Sequence, residues 1–497
     1  MPCKWHPSCK AFTSFNLWKA EALISQNEKS SFVKRVEQSY AGVYETMNWL
    51  SSPAEVETAE KARNELIAAI FDRSDSPAAW QFARTKLYTH GISPGCALCG
   101  QGKWSCLFVN NICNARCFYC PSTQNDPGLP MTSTVTFENA MDYADYVNQF
   151  GIEGVGFSGG EPLMTLDRVL DYLNAVQARA CRPMYTWMYT NGILATEDKF
   201  KALRDSGLNE IRFDLSANKY DLSGLEKAVG IIPIVTVEIP AVPEDLEITK
   251  PLTTVLSSMG VNYLNLHQIR CTQFNRPKLV QRGYSFIHGP GVAVLETELA
   301  ALELIRHTVD HGIPLPINYC SFTYRNQFQK AAARRRNAGL VKKEWEGVTP
   351  TGFIRAMSIA GPPERLGPVL AWLNTQEADG WMVSSKQDRI SFHSRLWPMI
   401  DFTGLELTVR YHATALRPAA TLRYPFTKVR LNNDKAVVIE KDHLHQGIRF
   451  QGDDIPAFAR HFLFPSDSGD KPSGLSPEQE RAVSRFENFD PGLAPLY

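Results

Sequence analysis

Between Trp104 and Asp310, short runs of apolar, β-branched and aromatic residues alternate with amphipathic helical stretches, and this alternation narrows the fold more than any other feature. The runs are CLFVNN, GVGFSGG, MYTWMYTNG, EIRFDLS, IVTVEIPA and YLNLHQI; the stretches between and after them include TFENAMDYADYVNQF, LDRVLDYLNAVQAR and ETELAALELIRHTVDHG. Apolar runs separated by helices predict parallel strands joined by right-handed helical crossovers. The expected class is α/β, a partial (β/α)6 TIM-like barrel. Such a barrel carries its chemistry in the loops at the C-terminal ends of the strands.

The flanks read differently. In residues 1–94, apolar positions recur at three- and four-residue spacing in SSFVKRVEQSYAGVYETMNWL and SPAEVETAEKARNELIAAIFD, which predicts an N-terminal helical region. Ser52 and Pro53 suit the N-cap and first position of its second helix. Residues 95–340 hold the barrel and, just upstream of its first strand, a cysteine hook. Strand-like runs around one helix, ERLGPVLAWLNT, then predict a small α+β domain over 341–464. Within 465–497, PSDSGDKPSG is a linker by composition, and Ser476, Pro477 and Gln479 start a tail helix. Arg334, Arg335 and Arg336 predict a solvated basic helix face, with an anion clamp or a nucleic-acid patch as the alternative.

Lys and Arg total 52, as do Asp and Glu, so no global charge calls for a nucleic-acid or membrane-surface partner. The start, MPCKWHPSCK, lacks the apolar run of a signal peptide, and no stretch reaches the roughly 18 apolar residues of a spanning helix. A cytoplasmic setting without a membrane partner is expected. There, clustered cysteines are more often metal ligands or catalytic thiols than disulfides.

Six of the eleven cysteines fall between Gly95 and Ser122. Among them, Cys113-x3-Cys117-x2-Cys120 directly follows the first strand. Three thiolates at this spacing can wrap one loop around three irons of a cubane cluster and leave the fourth iron open. A zinc site usually closes a tetrahedron with a fourth ligand nearby. One strand later, FSGGEP offers Ser158, Gly159, Gly160 and Glu161: paired glycines admit a close backbone approach, and the carboxylate can receive an ammonium group. The rival reading is a zinc-binding interaction protein without catalysis, which would have no need of both motifs.

Together these residues resemble the radical S-adenosylmethionine (SAM) superfamily. The stretches CALCGQGKWSCLFVNNICNARCFYCP, VEIPAVP, LNLHQI, QRGY and NYCSFTYRNQFQKAAARRR, spread over 95–340, are similar to a subgroup related to pyruvate formate-lyase activating enzyme. The resemblance implies a [4Fe–4S] cluster on Cys113, Cys117 and Cys120, with SAM chelated to the open iron. One-electron cleavage of SAM would then give a 5′-deoxyadenosyl radical that abstracts hydrogen from the substrate. It implies a SAM site built from Tyr119, Ser158, Gly159, Gly160 and Glu161, then Thr190 and Asn191, Asp214 and Ser216, Glu238, Asn265 and His267. Taken singly, each of these polar residues is more often a structural cap; their repeated strand-end position singles them out. A peptide, protein or small-molecule substrate is expected, with RNA as the alternative, and an electron donor such as flavodoxin or ferredoxin. A glycyl-radical activase fits less well, because those enzymes are usually compact.

The remaining thiols suggest a second site. Cys96 and Cys99 form a hook, and with Cys106 and Cys320 they make the expected ligand set of an auxiliary iron–sulfur cluster or a mononuclear iron or zinc. Cys3 or Cys9 could replace a member. Cys181 and Cys271 are expected to be small buried hydrophobes.

Overall fold

The computed structural model describes residues 26–375, 379–444, 447–465 and 474–493; Cys3 and Cys9 lie outside them. Its central feature is a run of parallel strands paired in chain order: β1 (Trp104–Phe108), β2 (Gly154–Ser158), β3 (Tyr185–Thr190), β4 (Glu210–Phe213), β5 (Ile234–Pro240), β6 (Tyr263–His267) and β7 (Ile317–Cys320). Six are the expected units. The seventh, INYC, is a four-residue strand outside the expected six. The sheet is open. β1 pairs outward with Met131–Thr132, and β7 pairs antiparallel with Lys86–Thr89.

That last pairing corrects the expectation of a wholly helical N-terminal region. Helices Gln26–Ser39 and Pro53–Phe71 are present, the second capped by Ser52, but Ala78–Gln81 and Lys86–Thr89 form a hairpin that extends the central sheet. Its turn places Phe82, Ala83 and Arg84 at φ values of 53°, 51° and 60° without the Gly, Asn or Pro that would signal it.

Helix α1 (Pro94–Gln101), capped by Ser93, enters the barrel from the N-terminal ends of the strands. A Cβ on Gly95 would lie 2.4 Å from Arg212 and 3.3 Å from Trp187, both on the inner face, so only a bare backbone fits there. α1 therefore plugs the lumen from below. Between β6 and the outer helix α2 (Leu295–Asp310), an insertion forms a small sheet from Arg270–Cys271, Ser285–Ile287 and Val292–Val294 together with Asn48–Trp49. Its core includes Tyr40, Phe286 and Val294 and receives Phe118 and Tyr119 from the cysteine loop.

Beyond helix α3 (Lys330–Val341), residues 346–451 form an antiparallel sheet. Its long strand, Glu406–Arg417, joins two cores: Leu407 and Val409 pack with Ile359 and Phe458, whereas Leu416, Val437 and Ile439 pack with the barrel. The tail helix Pro477–Glu487 buries Glu487 against Arg355 and Tyr411.

Two expectations fail here. Arg334, Arg335 and Arg336 are not a solvated face, because each donates to backbone carbonyls: Thr351, Pro350, and Gly102 with Trp104, respectively. Their side chains diverge and bind α3 to its neighbours. Cys181 is exposed rather than buried; Cys271 is buried. Among the described residues no helix is long and apolar enough to cross a membrane.

Candidate active site

The site begins where β1 ends. The Asn110 amide donates to the Glu161 carbonyl at 2.9 Å and to Thr165 Oγ1 at 2.7 Å, and its Oδ1 accepts from Gly160 N at 3.1 Å. This binds the base of the cysteine loop to the turn after β2. The glycines of that turn are dictated by this contact: a Cβ on Gly160 would lie 1.9 Å from the Ile112 carbonyl oxygen, and one on Gly159, at φ +148°, 2.5 Å from that of Asn110. The chain itself approaches both glycines closely.

Cys113, Cys117 and Cys120 are free thiols on this loop. Burial pushes Cys117 up to about 12, with Asp214, Cys113 and Cys120 adding to the effect, and burial also raises Cys113. The loop is braced from two sides. From β3, the Asn191 amide donates to Asn114 Oδ1 at 2.7 Å and lies 3.7 Å from Cys113 Sγ. From the insertion, Asn275 donates to the Tyr119 carbonyl at 2.9 Å, Thr272 to that of Pro121 at 2.9 Å and Lys278 to that of Cys117 at 3.4 Å. Arg282 lies 3.6 Å over the Phe118 ring.

The strand-end residues fall into two tiers. In the upper tier, the buried Glu161 carboxylate accepts from Thr190 Oγ1 at 2.8 Å, Asn191 N at 2.7 Å and Leu163 N at 3.0 Å. Burial raises its pKa even so, with those bonds opposing. Burial also pushes Asp214 up to about 6, against donors on Ser216 and Tyr119. Thus Tyr119, Glu161, Thr190, Asn191, Asp214 and Ser216 all connect to the cysteine loop or its base.

The lower tier lies in the lumen. Glu238 meets Arg212 Nη1 and Asn265 Nδ2, each at 2.9 Å. Burial opposes its charge, but Arg212, His267 and Asn265 together hold its carboxyl below the usual range. Arg212 also pairs with the fully buried Glu210 at 2.8 Å and bonds Ser93 of the plug. Sequence reasoning missed this pair; its signal was Glu-x-Arg on a strand otherwise buried on both faces. Likewise missed were Asn110, Asn114 and Asn275, which carry no motif of their own. His267 is pushed down to about 4 by burial and then Arg325, and so is neutral.

Cys96, Cys99, Cys106 and Cys320 also face the lumen. Cys96 Sγ receives the Asn265 amide at 3.5 Å, Cys99 receives Gln329 at 2.7 Å, and Cys106 receives the Ser158 hydroxyl. Burial, then Cys320 and Cys96, push Cys99 up to about 12. Cys320 is raised by burial, which Lys86 and Arg325 oppose. Among the described residues no three His, Cys, Asp or Glu side chains converge on a position for a single metal ion.

Comparison with known proteins agrees with the geometry. Residues 107–234 match the family model of the radical SAM superfamily. A Methanocaldococcus jannaschii protein, whose name assigns it to the glycyl-radical enzyme activating enzymes, is 26% identical over 279 residues, 53% of this chain and 72% of its own length. A GTP 3′,8-cyclase of Synechococcus is 35% identical over 119 residues, and the match spans only 22% of this chain and 33% of the cyclase. Among solved structures, SuiB of Streptococcus suis aligns over 60% of this chain and 63% of its own at 12% identity, with a TM-score of 0.33, too slight a likeness to carry an argument.

Proposed function

We propose that residues 107–234, which match the family model of the radical SAM superfamily, belong to an enzyme that holds a [4Fe–4S] cluster on Cys113, Cys117 and Cys120 and SAM above the strand ends, to take hydrogen from a peptide, protein or small molecule. The cluster, when bound, supplies the electron that cleaves a carbon–sulfur bond of SAM. The rest is the work of the chain. One loop at the C-terminal end of β1 presents three thiols, braced from β3 and from the insertion; this is the observation that carries the reading. Asn191 orients Cys113, and Tyr119 ties the loop to Asp214. Among the described residues, Glu161 Oε2 accepts the backbone N–H of Asn191, which leaves it capacity for an ammonium group.

The name of the archaeal relative favours a protein substrate. The arginines that suggested RNA are engaged with backbone carbonyls, and a flavodoxin or ferredoxin suits as electron donor. Incubated anaerobically with SAM and dithionite, the enzyme should release 5′-deoxyadenosine, and Cys117→Ala should abolish that release. A colourless protein carrying zinc alone would instead support the interaction-module reading.

A second metal site on Cys96, Cys99, Cys106 and Cys320 is supported by their common lumen-facing placement. Cys99→Ala should lower the iron content while leaving some SAM cleavage. An unaltered count would confine the metal to the loop.

A further inference from the structure

Lys86 opens the hairpin strand Lys86–Thr89, which pairs with β7, and it is only 1% exposed. A lysine is almost never buried so completely without an anionic partner. Among the described residues, no carboxylate forms an ion pair with this ammonium and no acceptor hydrogen-bonds it.

Sulfur and a ring surround it instead. The ladder sets Asn318 against Tyr88 and Tyr319 against Leu87, and Ser321 donates to the Thr85 carbonyl at 2.9 Å. Between these contacts Lys86 stands opposite Cys320, and directly opposed residues project to the same face of a sheet. The ammonium lies 4.3 Å over the Tyr324 ring, whose hydroxyl reaches Cys99 Sγ at 3.8 Å. Cys99, Tyr324 and Phe328 share one buried core, and Cys320 packs against it. Both thiols feel the charge: burial raises Cys99 and Cys320, and Lys86 opposes that rise in each.

The Tyr324 ring offsets part of the cost of burying an ammonium, but it carries no counter-charge. A thiolate-bound metal does, because four thiolates outweigh the charge of a divalent ion. On the reading that the lumen thiols hold a second metal, we propose that Lys86 is the counter-ion of an anionic metal–thiolate centre that includes Cys99 and Cys320. The hairpin beyond β7 then has a specific task, which is to bring one positive charge to the sulfur atoms.

Full-length protein is purified anaerobically in a Cys117→Ala background, where the loop cluster is lost and the remaining metal is that of the second site. Lys86→Met keeps the length of the side chain and removes its charge. It should hold this metal about 10–100-fold less tightly against a competing chelator, the usual effect of losing a group that supports metal ligands. Lys86→Arg should retain it like the parent. Once the metal has been stripped, the effect should reverse. The parent then buries a cation without a counter-ion, so Lys86→Met should raise the urea midpoint of the metal-free protein while lowering that of the loaded one. Should Lys86→Met fold poorly, Lys86→Gln provides the same pair of measurements.

Cys99→Ala separates the two readings. An unchanged metal content in that variant overturns the second site, and the role of Lys86 with it. If Cys99→Ala empties the site but Lys86→Met binds metal as tightly as the parent, the counter-ion alone is overturned. Midpoints that move in the same direction with and without metal overturn it too, since a merely structural lysine would behave in that way.

Discussion

Tyr119 directs its hydroxyl to both carboxylate oxygens of Asp214, at 3.1 and 3.0 Å, while meeting the Ser216 hydroxyl at 2.6 Å. A ring inside the cysteine loop is thus anchored to the end of the fourth strand. The position of Cys117 and Cys120 therefore depends on a residue nearly a hundred positions downstream. A hydrogen bond to a buried charged group contributes about 1.5–3 kcal/mol. Tyr119→Phe should release the loop by that amount. Iron loss to a chelator should then be several-fold faster than in the parent, and equal rates would show that the insertion alone holds the loop.

The two kinds of glycine should behave oppositely. Gly160→Ala drives a methyl group against the Ile112 carbonyl oxygen at 1.9 Å, so the turn and the cysteine loop cannot both keep their places. The variant should lose its iron and much of its stability. Gly339, exposed in α3 with nothing within 4 Å, should gain from alanine, by about 0.5–1 kcal/mol. Urea midpoints moving in the same direction for both variants would contradict this assignment.

Arg212 pairs with both Glu210 and Glu238 inside the barrel. Arg212→Ala leaves the fully buried Glu210 carboxylate without its charged partner and should cost about 3–5 kcal/mol in denaturant unfolding. Combining it with Glu210→Gln should recover part of that loss. Additive losses would mean that the pair is not coupled.

His267 sets a pH dependence. Its folded-state pKa of about 4 lies below the ordinary 6.5, so the unfolded chain takes up the proton first as pH falls. The contribution to stability is complete above about pH 6.5 and is lost on acidification towards pH 4, at most about 3 kcal/mol. His267→Gln should flatten the stability curve across that window, and a parallel curve would assign the acid sensitivity elsewhere.

Much of the barrel was legible because a parallel strand buried on both faces is predominantly apolar, and the helix that follows is amphipathic. CLFVNN and its successors could hardly read otherwise. The cysteine triad was legible because covalent ligands have to sit close in sequence to share one loop. By contrast, the hairpin at 78–89 has four-residue strands and a turn that lacks its usual residues, and INYC is a four-residue strand without an amphipathic helix of its own period directly after it. The meeting of Tyr119 with Asp214, of Arg212 with Glu238, and of Lys86 with Cys320 belongs to the tertiary structure alone. Hydrophobic periodicity specifies which face of an element is buried, but not which polar group of a distant element will satisfy it there. Buried charges and amides find their partners only once the strands have brought them into register.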